Sequence, residues 1–175
     1  METILICIFC AALRLLHGKA PIKYAIESAE NDLKSAKKYD DRAQTTKNAI
    51  YLFETIVPWK EMKDVMAWAD HFERWLREAE GKSKGFSTQF LYRLLQYTDM
   101  AQNFEKKQEV KDLLYKSYLM YDLKRNFDPE TDAARKLQEL AWLDKEMRYL
   151  RVPLHKTLYK NRKYNLSGGD NELSE

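Results

Sequence analysis

The stretch Trp59-Lys60-Glu61-Met62-Lys63-Asp64-Val65-Met66-Ala67-Trp68-Ala69-Asp70-His71-Phe72-Glu73-Arg74-Trp75-Leu76-Arg77-Glu78-Ala79 decides the fold class. Its apolar side chains at Trp59, Met62, Met66, Ala69, Phe72, Leu76 and Ala79 recur at spacings of three and four, the period of one helical face. Pro58 before it suits a first helical position, and Gly81-Lys82-Ser83-Lys84-Gly85 after it ends the helix.

Outward from this helix the same pattern recurs. Toward the N-terminus, Ile22, Ile26, Ala29, Leu33 and Ala36 form the stripe of a first helix. Asp40-Asp41 offers a cap to a second, carrying Ile50, Phe53 and Val57 and stopped or bent at Pro58. Toward the C-terminus, a fourth helix starts near Ser87 or Thr88 and presents Phe90, Leu91, Leu94, Leu95, Ala101 and Phe104. A fifth uses Val110, Leu114, Tyr118 and Tyr121. Asp128-Pro129 starts a sixth, with Leu137, Leu140, Leu143, Met147 and Leu150, which Pro153 closes. No period-two alternation runs long enough to predict a sheet. The expected fold is all-α, a single-domain antiparallel or orthogonal bundle of five or six helices.

Composition agrees. Of 175 residues, 45% are hydrophobic and 33% charged, with 5 Gly, 4 Pro and 2 Cys, which excludes collagen-like, disulfide-scaffold and low-complexity chains. Ile4-Leu5-Ile6-Cys7-Ile8-Phe9-Cys10-Ala11-Ala12-Leu13 is uncharged and too short to span a bilayer, and it suits the apolar region of a secretory signal cut after Gly18. Both cysteines would leave with that signal. The alternative is an intracellular scaffold or nucleic-acid-binding protein in which residues 4–16 are a core helix.

The expected organisation is a signal over 1–18, a helical bundle over 19–153, a basic aromatic arm over 154–165 and a disordered acidic tail over 166–175. The net charge of +3 is unevenly spread. Lys145, Arg148, Arg151, Lys156, Lys160, Arg162 and Lys163 face only Glu146, while Asp170, Glu172 and Glu175 close the chain. These bases, interleaved with Tyr149, His155, Tyr159 and Tyr164, are the candidate partner-binding residues, suited to an anionic lipid surface, an acidic glycoprotein or a phosphate backbone. Trp68 and Trp75, seven residues apart, either widen the core face or join Tyr159 and Tyr164 in an aromatic interface. Asn165-Leu166-Ser167 is a glycosylation sequon.

Enzymatic signals are thin. His71 stands in Asp70-His71-Phe72-Glu73, which lacks the second histidine of the helical zinc motif, and it is expected to be an exposed helix residue. Gly81-Lys82-Ser83 lacks the first glycine of a P-loop, because residue 76 is Leu76. No catalytic, cofactor-binding or metal-binding residues are assigned, and no cofactor is expected.

Several segments together resemble gastropod sperm lysin and its fusogenic acrosomal paralogue. They are Cys7-Ile8-Phe9 within the apolar run, Ala49-Ile50-Tyr51-Leu52-Phe53, Trp59, Trp68, Arg93, and Asp99-Met100-Ala101 with Phe104. The resemblance covers roughly residues 1–20 and 47–107. It implies a small secreted helical protein of the sperm acrosomal vesicle that is not an enzyme. It would act in fertilisation by stoichiometric binding to an egg-coat glycoprotein or the egg membrane, with the ability to form a homodimer. Two features depart from the family: the body is neutral where lysin is strongly cationic, and the region from Val110 to Tyr164 is longer. A diverged paralogue with changed partners fits these better than lysin itself.

Overall fold

The computed structural model describes residues 9–15, 19, 21–39, 48–81, 84–107 and 109–167, the side chains at 105–106, 144–145 and 163–167 excepted. The chain is mainly helical, as its composition requires, with one small three-stranded sheet in addition. It divides into two compact units, residues 1–63 and 64–175.

In the first unit, β1 (Ala11–Leu13) runs parallel to β2 (Ala49–Leu52), and β2 pairs antiparallel with β3 (Thr55–Pro58). Helix α1 (Ile22–Lys37) connects β1 to β2 and packs on both. The expected second helix over Ile50, Phe53 and Val57 is therefore a β-hairpin. Ile50, Tyr51, Thr55, Ile56 and Val57 are β-branched or aromatic, and pairing on both edges of β2 overrides a helical spacing that rested on three residues. Leu52 opposite Thr55 leaves a two-residue turn with positive φ at Phe53 (48°) and Glu54 (61°), as in a type I′ hairpin. Pro58 ends β3 instead of entering a helix, and the cap expected at Asp40-Asp41 lies outside the described residues.

The expected stripe of α1 also turns outward: Ile22 is 78% exposed, and Ile26 and Ala29 are exposed too. The buried positions are Ser28, Asp32 and Ala36, spaced by four. Small side chains let α1 lie close to the strands, and the Asp32 carboxylate is held by Arg14. Ala11–Leu13 and Arg14 are thus tied into this unit by strand pairing and by Asp32; Phe9, 51% exposed, has its ring 4.7 Å from that of Trp59, whose Nε1 donates to the Phe9 carbonyl at 3.0 Å.

Helix α2 (Trp59–Glu78) crosses into the second unit, where Val65, Ala69, Phe72 and Trp75 are its buried residues. Gly81 and Gly85 take positive φ after it, as a chain reversal requires, and the Gly85 amide donates to the Asn126 carbonyl at 2.9 Å. Helix α3 (Thr88–Lys107) begins where the sequence predicts, with Ser87 Oγ accepting from the Phe90 amide at 3.2 Å. A 3₁₀ segment (Val110–Leu114) leads into α4 (Tyr115–Asn126). Asp128 organises a turn through Glu130 and Thr131, and Thr131 is the actual cap of α5 (Asp132–Leu140), accepting from the Ala134 amide at 3.3 Å.

The predicted sixth helix is broken. A turn at Ala141–Leu143 separates α5 from α6 (Asp144–Tyr149), so Leu143 is exposed while Leu137, Leu140, Met147 and Leu150 are buried. Pro153 does not end a helix. It lies in the first turn of α7 (Arg151–Ser167), where its missing N–H leaves no hydrogen bond unmade. Residues 154–165 are accordingly helix, with Leu154 and Thr157 buried, and α7 includes Leu166 and Ser167 at its end. The rest of the tail, 168–175, lies outside the described residues.

The core of this unit is aromatic at one end. Phe72 stacks on Phe86 at 5.5 Å, Trp75 meets Phe86 edge-on at 5.3 Å, and Phe90 meets Phe127 at 4.8 Å. Leu91, Leu94, Leu119, Leu137, Leu140, Met147, Leu150 and Leu154 continue it.

Candidate recognition surfaces

The bases singled out in the sequence do not form one open positive face. Arg151 is ion-paired with Asp99 on α3, Lys160 Nζ meets Glu73 Oε2 at 2.6 Å, and Lys156 Nζ lies 4.0 Å from Asp70 Oδ1 on α2. Arg148 is half-buried, and its carbonyl accepts from Gln102 Nε2 at 3.1 Å. Arg162 is exposed, whereas the side chains of Lys145, Lys163, Tyr164 and Asn165 lie outside the described residues. The charge excess of the primary structure is thus partly balanced by acids of α2 and α3.

The aromatic strip is also divided. Trp75 is only 2% exposed and its indole Nε1 donates to Asp132 Oδ2 at 3.0 Å, so it belongs to the core and is no surface contact. Trp68 is half-buried against Phe72 and Trp75, with ring centroids 5.8 and 6.3 Å apart. Tyr159 is exposed.

Two arrangements were not legible in the sequence. The first is the outer face of the 3₁₀ segment and α4. Val110, Leu114, Tyr118 and Tyr121, the residues expected in the core, are all exposed, Val110 by 77% and Tyr121 by 61%. The core instead takes Asp112, Tyr115, Leu119, Asp122 and Leu123. Both stripes have helical spacing, and nothing in a single chain ranks one above the other. A signal was nonetheless present: a helix apolar on two sides needs two partners.

Charge is segregated across this element. Asp122 is buried and accepts from Tyr97 Oη at 2.6 Å, from Arg93 Nη1 at 3.2 Å and from Asn126 Nδ2 at 3.4 Å. Burial, then Asp122, push the Tyr97 hydroxyl well above its usual pKa, so it stays a donor. Asp112 is buried as well, while Lys111, Lys124 and Arg125 point outward. On the flank, the Lys116 ammonium lies 5.9 Å from the rings of both Tyr115 and Trp142, and Trp142 is 68% exposed. The outcome is an apolar and aromatic stripe beside Lys124 and Arg125, with Asp112 and Asp122 turned inward and Lys111 ion-paired with Glu109 at 2.6 Å.

The second arrangement joins α2 to α5. His71 is half-buried, not an exposed helix residue, and its ring stacks on Trp75 at 5.5 Å with a 15° tilt. Arg74 Nη2 lies 3.1 Å from His71 Nδ1, and Lys136 Nζ lies 2.9 Å from Nε2. Arg74 Nη2 also reaches Asp132 Oδ2 at 2.6 Å. Burial, then Lys136 and Arg74, lower the His71 pKa below 6.5, against the opposing pull of Asp132 and Asp70. At Asp132 burial acts to raise the pKa, but the Trp75 N–H, Lys136, Arg74 and His71 together outweigh it and lower it.

Among the described residues no group of three or more His, Cys, Asp or Glu is placed to hold a metal ion, and no helix is long and apolar enough to cross a membrane. Compared with protein-family models and with curated proteins, the chain matches none significantly.

Proposed function

We propose that this chain is a non-enzymatic recognition protein that binds an acidic glycoprotein stoichiometrically through the outward face of the 3₁₀ segment and α4. One observation carries the reading: Val110, Leu114, Tyr118 and Tyr121 line an exposed stripe, flanked by Lys124 and Arg125, while Asp112 and Asp122 are buried. Exposed tyrosines and arginine are typical interface anchors, and the bases attract an anionic partner at long range. The resemblance to sperm lysin supports the same mode of action and would place it at the egg coat after release from the acrosomal vesicle.

The extracellular setting rests on the apolar run at the N-terminus and on that resemblance. The strand pairing of Ala11–Leu13 and the Arg14–Asp32 pair count against removal of residues 1–18. The binding face lies in residues 64–175. The mass of the natural N-terminus separates the two forms.

The test is titration of the full chain with a purified acidic egg-coat glycoprotein, beside a Leu114→Asp/Tyr118→Asp variant and vesicles containing anionic lipid. Saturation at a fixed ratio, weakening with salt and lost in the variant, with no cleavage of the glycoprotein, is expected. Equal binding by the variant overturns the assignment of the face, cleavage overturns the non-enzymatic reading, and binding to vesicles alone makes the partner a membrane.

A further inference from the structure

We infer that the junction of α2 and α5 is a binding site for an oxyanion, a sulfate ester or a phosphate monoester, held between His71, Arg74 and Lys136. This inference is independent of the α4 face.

The argument is a count of donors and acceptors. A guanidinium and an ammonium only donate hydrogen bonds, whereas a neutral imidazole carries one lone pair and one N–H. Arg74 and Lys136 approach the two nitrogens of the same ring at 3.1 and 2.9 Å. Whichever tautomer forms, one ring N–H faces a cationic donor, and protonation leaves both contacts donor against donor. Asp132 is directed elsewhere: its Oδ2 accepts from Arg74 at 2.6 Å and from Trp75 Nε1 at 3.0 Å, and among the described residues no carboxylate lies within 4.0 Å of Lys136 Nζ. Lys136 thus meets a ring nitrogen and no carboxylate, and an oxyanion supplies the acceptor that it and Arg74 can share.

The surroundings hold the donors in place. The Trp75 ring stacks on the imidazole, and the Trp68 ring meets it edge-on at 5.9 Å. The charged groups facing His71 are Arg74 and Asp70 on α2, and Asp132 and Lys136 on α5; Glu78 lies 3.7 Å from Arg74 Nε, and Lys156 on α7 lies 4.0 Å from Asp70. The charged groups that touch the ring nitrogens themselves, Arg74 and Lys136, are both cations. The side chains are half-buried to half-exposed, which leaves an anion a path from solvent. Sulfated glycans and phosphorylated chains share this chemistry, and the probes separate them.

The experiment follows the His71 ring protons of the full chain by NMR through a pH titration, alone and with inorganic sulfate, inorganic phosphate or a sulfated disaccharide at constant ionic strength. Bound anion stabilises the imidazolium, so the His71 titration should move to higher pH by about one unit. Lys136→Met should abolish the move while keeping the Trp75–His71 ring-current shifts that report an intact junction, and Lys136→Gln provides a second variant should the first misfold. A preference for the disaccharide over phosphate assigns a sulfated glycan, and the reverse order a phosphate ester. A titration unmoved by all three anions, or moved equally in both Lys136 variants, overturns the proposal.

Discussion

Arg14 grips Asp32 with two hydrogen bonds, Nε to Oδ2 and Nη2 to Oδ1, each 2.6 Å long, and Asp32 is 3% exposed in the middle of α1. A carboxylate so buried depends on its cation, and part of the Arg14 side chain remains open to water. Arg14→Met should destabilise the first unit by about 2–4 kcal/mol. A chain beginning at Lys19, which lacks both β1 and Arg14, should lose more and should recover part of the loss with Asp32→Ala. Urea unfolding followed on the first unit measures both; equal stability of the Lys19 chain and the full chain would show that the pair contributes nothing.

The hairpin between β2 and β3 turns through Phe53 and Glu54, both at positive φ, where a β-carbon is unfavourable. Glu54 is exposed. Glu54→Gly is expected to raise stability by about 0.5–1 kcal/mol, opposite to the usual effect of glycine. A lower denaturation midpoint would contradict the turn geometry.

The two faces of α4 should separate stability from binding. Leu119→Ala, in the core, should cost about 2–5 kcal/mol. Leu114→Asp and Tyr118→Asp, outside it, should stay within about 0.5 kcal/mol of the parent. If the outer substitutions destabilise as much as the inner one, the stripe is packed and not free for a partner.

Acid should weaken the second unit in two steps. His71 has a lowered pKa when folded, so the unfolded chain takes up its proton first, and stability falls as pH drops below about 6.5 toward the folded value. Asp132 also has a lowered pKa when folded, so its contribution is present above the ordinary carboxylate range and is lost as pH falls through the folded value. His71→Phe keeps an aromatic ring on Trp75 and should flatten the upper step while leaving most of the lower one, which rests mainly on Trp75, Lys136 and Arg74. Urea midpoints measured between pH 7.5 and pH 3 test this, and an unchanged upper step in the variant would place its origin elsewhere.

Helix boundaries set by local chemistry could be read directly. Ser87 capping α3, the glycines at 81 and 85, and the buried spacing of Leu137, Leu140, Met147 and Leu150 each depend on neighbours within about a turn or on one amphipathic face. The sheet was hidden because its two longer strands have four residues each, too few to display alternation, and because the turn carries no glycine or asparagine. Of the candidate site, only the residue types were visible. The pairing of Lys160 with Glu73 joins residues 87 apart, and that of Lys136 with His71 joins residues 65 apart.

The sequence by itself determined that the chain is mainly helical and where α2 and α3 start, because propensity, capping and glycine conformation are local properties of the backbone. Only the tertiary structure decided which of two apolar stripes α4 buries, that the bases of α7 meet acids of α2 and α3, and that two cations converge on His71. Those outcomes depend on which distant surfaces fill one another, and residue order encodes that choice only through the packed whole.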